Sequence, residues 1–285
     1  MNPSIKEGKD INGYIVKNIK QLEILDSVMI QLEHKVTKAR HIHIANEDKE
    51  NTFSVVFRTV PSDSSGVAHI LEHTVLCGSK NFNVRDPFFS MIKRSLNTFM
   101  NAFTASDWTM YPFSTQNRKD YFNLLDVYLD ATFFPNIEEL NFKQEGHRLE
   151  ILKKGDDDIE LEYKGVVYNE MKGAMSSPGQ VLGRYLLKAL YPDTTYSNNS
   201  GGEPCDIPKL SWKELKAFHA KYYHPSNSIF YTYGSFPLED NLKFISEKVL
   251  DSFEHLSMDT RVPSQPRWDK PKQQIQKYAF SDQED

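Results

Sequence analysis

His69, Glu72 and His73 stand in the stretch VAHILEHTVL at residues 67–76. On a helix, positions i, i+3 and i+4 share one face, so both imidazoles and the carboxylate point into one small volume. Two imidazoles suit a borderline-soft divalent metal such as zinc, and a carboxylate beside them suits a base that takes a proton from a water on that metal. The rest of the stretch is apolar: Val67, Ala68, Ile70, Leu71, Val75 and Leu76. The three polar residues are therefore expected on or near a buried surface, where ionisable groups are rare unless paired or coordinated. The spacing by itself leaves a satisfied pair of core histidines as an alternative.

Other residues compete for a place in such a site. Cys77, one turn beyond His73, is a conceivable third ligand, but thiolate-rich zinc sites are mostly structural and would leave Glu72 without a role. Glu170 lies beside a helical apolar stripe of Val166, Val167, Met171 and Ala174. From the stripe alone it is either a surface glutamate or a ligand. His41 and His43 share one strand face and are expected to be a surface pair, because no carboxylate has fitting spacing. His147 is expected to be a packing or surface residue. The acidic run at residues 155–158 is expected to be a solvated turn, since its spacing is not that of a calcium loop.

The elements that must position these groups follow from periodicity and turn residues. Short alternating apolar runs between residues 13 and 59 predict about four strands of an antiparallel sheet. Residues 59–66 form a loop into the motif helix, with Ser64 or Ser65 as its N-cap, and Gly78 ends that helix. Asp86-Pro87 opens another helix. Residues 98–104 and 109–113 are β-type runs around a turn at 105–108, a hairpin whose strands offer an edge for an extended peptide to join. Helical spacing covers residues 117–134, then about 138–152, then about 161–175, with a restart at Ser177-Pro178. Residues 191–208 are a long loop, a length often associated with function. A helix capped by Ser211, a strand over 228–233 and a helix over 238–253 complete an α+β arrangement: an antiparallel sheet of about six strands packed with helices. From Arg261 the chain turns polar and proline-bearing. This divides it into a unit over residues 1–260 and, over 261–285, a linker or the start of a following domain.

The 285 residues are 39% apolar, enough for a sizeable core, and the formal charge of −5 argues mildly against nucleic acid. No run of about 18 apolar residues occurs, so no membrane span is expected. Two distant cysteines fit a reducing compartment. The N-terminus carries neither a signal-peptide core nor an arginine-rich transit pattern, so a cytoplasmic protein is expected, with the mitochondrial matrix or another organelle after processing as the alternative.

Four stretches together resemble one family. They are GVAHILEHTVLCGS at 66–79, TFMNAFT at 98–104, GVVYNEMKG at 165–173 and YHPSN at 223–227. The order H-x-x-E-H is that of the inverted zinc peptidases, and the four stretches resemble the pitrilysin/insulysin class, most closely its presequence protease branch with the falcilysin-like enzymes. The resemblance covers nearly the whole chain. It implies a mitochondrial-processing-peptidase-like αβ roll, one Zn2+ per chain held by His69, His73 and Glu170, and Glu72 as general base. The 97 residues from His73 to Glu170 are similar to the presequence protease branch. It further implies that Asn101, Ala102 and Phe103 form the sheet edge that binds substrate, and that substrates are unfolded peptides such as targeting peptides and other short fragments.

The implied reaction is zinc-dependent endopeptidase hydrolysis, with three protein ligands leaving a fourth position for the water that Glu72 deprotonates. The family's working enzyme has four homologous units in two halves, and the second half completes the active site with an Arg and a Tyr. This chain resembles the first unit only, so its expected partner, besides peptides, is a missing C-terminal half of the same polypeptide. A non-catalytic scaffold and a structural zinc domain are the rival readings. The intact His69, Glu72, His73 and Glu170 set speaks against the first, and a carboxylate base beside an open coordination position speaks against the second.

Overall fold

Period-two burial writes most of the sheet. Along β3 (Ser27–His34), Val28, Ile30, Leu32 and His34 are buried while Met29, Gln31 and Glu33 are only half covered, as a pleated strand with one face on a core requires. The computed structural model describes residues 5–153 and 159–277; the expected acidic turn at 155–158 lies outside them. Before β3 come β1 (Asp10–Ile11) and β2 (Tyr14–Leu22), and after it β4 (Arg40–Ala45) and β5 (Asn51–Arg58). Next are α1 (Val67–Val75), α2 (Pro87–Arg94), β6 (Asn97–Met100), β7 (Phe103–Thr104), β8 (Trp108–Thr115), α3 (Arg118–Phe133) and α4 (Glu139–Glu145). The chain continues through β9 (Arg148–Lys153), β10 (Ile159–Lys164), α5 (Val166–Ala174), α6 (Pro178–Leu190), α7 (Trp212–Tyr222), β11 (Ser228–Gly234) and α8 (Leu238–Lys248).

The α+β class stands, and the sheet is wider than the six strands expected. Its order is β1-β2-β3-β4-β11-β5-β8-β6, with β7 also on β8. Among the described residues one pairing is parallel: β11 enters between β4 and β5 and runs alongside β4. The centre of the sheet supplies Phe53 and Phe57 from β5, Tyr111 and Phe113 from β8, and Phe230 from β11, all fully buried. They meet an aromatic layer from α3, with Phe113 against Tyr121 and Tyr128 and Phe57 against Phe133. Each such ring contributes about 1.5–3 kcal/mol by leaving water.

Helix ends follow local chemistry. Asn117 caps α3 by accepting from Asp120 N, and Ser211 with Glu214 forms a full capping box on α7. Pro87 stands at the start of α2 after Asp86, as expected. At α1 the expectation changes: the N-cap is Gly66, not Ser64 or Ser65.

Two helical expectations are corrected. Residues 138–152 divide into α4 and β9, and residues 161–164 belong to β10, so α5 starts only at Val166. Strands β9 and β10 pair antiparallel as a separate two-stranded sheet. Its outward residues Leu149, Ile151, Ile159 and Leu161 are exposed, so no buried face imposed a strand pattern on the sequence. His41 and His43 are also corrected: they are buried, with His41 Nε2 and His43 Nδ1 each 2.8 Å from Thr232 Oγ1 of β11. Burial holds their pKa values down to about 3 and about 4, so both imidazoles stay neutral core groups. No helix among the described residues is long and apolar enough to cross a membrane.

Candidate metal centre

The site begins at a glycine. Gly66 has φ +73°, and a Cβ there would stand 2.8 Å from the carbonyl oxygen of Gly201 and 3.0 Å from Gly202 Cα. Only glycine combines this left-handed backbone with so close an approach. Residues 199–203 of the long loop therefore lie on the first turn of α1, and Gly201 O accepts a hydrogen bond from His69 Nδ1 at 3.1 Å. A second close crossing sets the other side of the site. A Cβ on Gly165 would overlap the carbonyl of Gly146, so the end of α4, with Glu145, meets the start of α5 and also packs on α1, and Glu170, midway along α5, comes within reach of the histidines of α1.

Along α1, Val67, Ala68, Ile70, Leu71, Thr74 and Val75 are buried, as is Glu72 at 8% exposure, while His69 and His73 are partly open. Their rings lie 5.0 Å apart, edge to face. His73 Nδ1 donates to Glu145 Oε2 at 3.1 Å. Because each Nδ1 is tied back, each Nε2 is free to face inward, and both face Glu170. His69 Nε2 is 3.5 Å and His73 Nε2 3.7 Å from Glu170 Oε2.

His69, His73 and Glu170 form a group whose ligand atoms all lie within 4.8 Å of one another. Tetrahedral coordination at about 2.0–2.1 Å separates neighbouring ligand atoms by about 3.4 Å. The two nitrogen-to-oxygen distances are close to that spacing, and the donor set of two imidazoles and one carboxylate is that of an open zinc site. The residues fit the metal.

The charges agree with this arrangement. Burial, then the neighbouring His73, lowers the pKa of His69, which keeps it neutral as a ligand must be. For His73, burial also pulls downward, but the Glu145 hydrogen bond and the charges of Glu170 and Glu72 outweigh it and hold the pKa above its ordinary value. Glu145 keeps its own pKa low against burial through the bonds from His73 and Gln144. A divalent cation is what this concentration of carboxylates around two imidazoles favours.

Glu72 Oε2 accepts from Thr104 Oγ1 of β7 at 2.5 Å, so the sheet edge and the catalytic candidate are in contact. Asn101, exposed, and Ala102, half-buried, lie between β6 and β7, and the exposed Phe103 is the first residue of β7 on that edge. Below Glu72, Tyr111 and Tyr223 share a hydroxyl contact of 2.7 Å. Burial raises both phenol pKa values, and the charge of Glu72 adds to the rise.

Cys77 stays outside the group: its Sγ donates to His73 O at 3.4 Å, and burial pushes its thiol up. His147 packs on Phe142, with its Nε2 2.9 Å from Leu210 O. Sequence reasoning missed Glu145 and the Gly201 carbonyl. Glu145 stands three residues after the apolar Phe142, and both are buried on α4; that helical spacing was its one signal in the sequence.

The insulinase family description (peptidase family M16) matches residues 58–189, and the description of the M16 inactive domain matches residues 209–284. A mitochondrial presequence protease from Mus musculus is 55% identical over 268 residues, covering 94% of this chain and 26% of its own length. The chain thus spans about a quarter of the length of such relatives. Among solved structures, a protease from Helicobacter pylori matches with TM-score 0.65 at 20% identity, covering 83% of this chain and 52% of that one. Pitrilysin matches with TM-score 0.61 at 17% identity, covering 87% of this chain and 24% of that one. At these identities the structural likeness is one of fold.

Proposed function

The chain belongs to the insulinase family of metallopeptidases, family M16, and from that premise we propose that it is the metal-bearing unit of a zinc-dependent endopeptidase acting on unfolded peptides. One observation carries the reading: two inward-facing imidazoles converge on Glu170, with a buried carboxylate, Glu72, on the same helix face.

His69, His73 and Glu170 would hold the ion. When bound there, zinc supplies a Lewis acid that polarises a carbonyl and acidifies water. Gly201 O and Glu145 hold the two Nδ1 atoms, which leaves both Nε2 atoms turned toward Glu170, where they would be available to the ion. Glu72 has one oxygen held by Thr104, which leaves the other to take a proton and pass it to the leaving amine. An extended peptide joining the open edge at Asn101, Ala102 and Phe103 would lie one residue from Thr104, with its backbone paired as an added strand.

Residues 1–260 are the catalytic unit in this reading, and 261–285 lead into the remainder of a longer polypeptide. That no helix or strand follows the short turn Leu250–Ser252 among the described residues supports the division. For compartment, the mouse relative carries "mitochondrial" in its name, and that likeness favours a mitochondrial location over the cytoplasm for this chain. Glu72→Gln tests the reaction. Peptide hydrolysis should fall by about 10²–10⁴-fold while one zinc per chain remains bound; an unchanged rate would refute Glu72 as base.

A further inference from the structure

Glu170 is half exposed, and its partners among the described residues are His69 and His73. Its position must therefore come from its helix. Yet α5 buries only Val167, and α6, which follows it after a short break, buries only Val181. The outward side of α6 presents Leu182 and Leu186 to solvent. This arm is lightly packed for an element that carries a ligand.

Its strongest polar tie to the body is an ion pair. Arg184 Nε of α6 meets Glu203 Oε1 at 2.5 Å, and the two side chains are 9% and 19% exposed. Glu203 sits in the loop that touches the other parts of the centre. Its backbone N–H donates to Ser64 O at 2.8 Å, and Asn199 N donates to Ser64 Oγ at 3.0 Å, just before α1. Gly201 O holds His69 Nδ1, and a Cβ on Gly201 would meet Met171 Sδ at 2.8 Å, one residue from Glu170. The loop is thus wedged between the helix that bears the two histidines and the helix that bears the glutamate.

We propose that the Arg184–Glu203 ion pair is a latch that fastens the α5–α6 arm to residues 199–203 and so sets Glu170 at coordinating distance from His69 and His73. A largely buried ion pair is a poor stabiliser compared with apolar packing of the same volume. Arg184 Nη1 is moreover buried without a hydrogen-bond partner, a further cost to stability. The pair's value lies in admitting one arrangement of arm and loop. Arg184 and Glu203 are positioning residues, acting on the metal through Glu170 and His69, and this role rests on the zinc reading above.

The test uses the full chain with Glu203→Gln, which keeps the shape and removes the charge, and Arg184→Lys, which keeps the charge and removes the fork. Zinc affinity is read by chelator competition, the ligand field by the visible absorption of the cobalt-substituted protein, and attachment of the arm by amide hydrogen exchange in the metal-free protein. Glu203→Gln should weaken zinc binding by about 10–100-fold, as loss of a group that orients ligands does, with Arg184→Lys intermediate. The cobalt spectrum should shift, and exchange should quicken over residues 166–190 while the central strands keep their protection. Affinity within about twofold of the parent in both variants, with exchange over the arm unchanged, would overturn the latch. A folded parent that binds no zinc would overturn the metal reading and the latch together, whereas a parent that binds zinc no better than its variants overturns the latch alone.

Discussion

Glu145 illustrates how one carboxylate can serve a site without touching substrate. It is 5% exposed and bonded to His73 Nδ1, so it fixes which nitrogen of His73 is free and makes that nitrogen a better donor. Glu145→Gln should lower zinc affinity by about 10–100-fold, measured by chelator competition, with little change in fold. His69, Glu72 and His73 were legible because they share a helix face within five residues. Glu170 gained its role only through the family likeness, since a glutamate beside an apolar stripe usually faces water. Glu145 and the Gly201 carbonyl were illegible for a different reason. Each meets its histidine across a long stretch of chain, and a backbone carbonyl leaves no mark on residue type.

At the scale of elements, the helix that bears the histidines depends on glycine contacts. Gly66→Ala would place a side chain on a left-handed backbone and against Gly201 O. It should cost about 1–2 kcal/mol of unfolding free energy from the backbone alone, seen as a lower urea midpoint. Because the displaced loop carries the His69 acceptor, zinc affinity should fall as well. The hairpin around residues 105–108 was legible from β-type runs on both sides of a turn, α3 from its helical spacing and α7 from its Ser211 cap. Strands β9 and β10 were not, because a two-stranded sheet with exposed side chains shows no half-buried alternation. The apolar residues of Arg148–Lys153 continue the spacing of the preceding helix closely enough to hide the break at Gly146 and His147.

Over the whole molecule, stability should depend on buried imidazoles. Burial holds His41, His43 and His219 at pKa values of about 3, about 4 and about 4, against an ordinary 6.5. The folded-state values are depressed, so the unfolded chain binds more protons between pH 6.5 and about 4, and stability is lost as pH falls through that window. Each histidine contributes a slope of about 1.4 kcal/mol per pH unit there. Urea titrations at pH 7 and pH 5 should show the loss, and His219→Gln should flatten it by about one proton. Alternation revealed that His41 and His43 share a strand face, but not that β11, nearly two hundred residues later, would enter between β4 and β5 and set Thr232 against both imidazoles. Pairings so distant in sequence leave no local signal.

If His69, His73 and Glu170 hold one zinc ion, the zinc bound per folded chain at equilibrium must depend on Glu170, as a comparison of the parent with Glu170→Gln reads out. The parent should bind one equivalent and the variant should show a marked loss of affinity. A folded parent without stoichiometric zinc, or a variant that binds it as tightly as the parent, would contradict that ligand set.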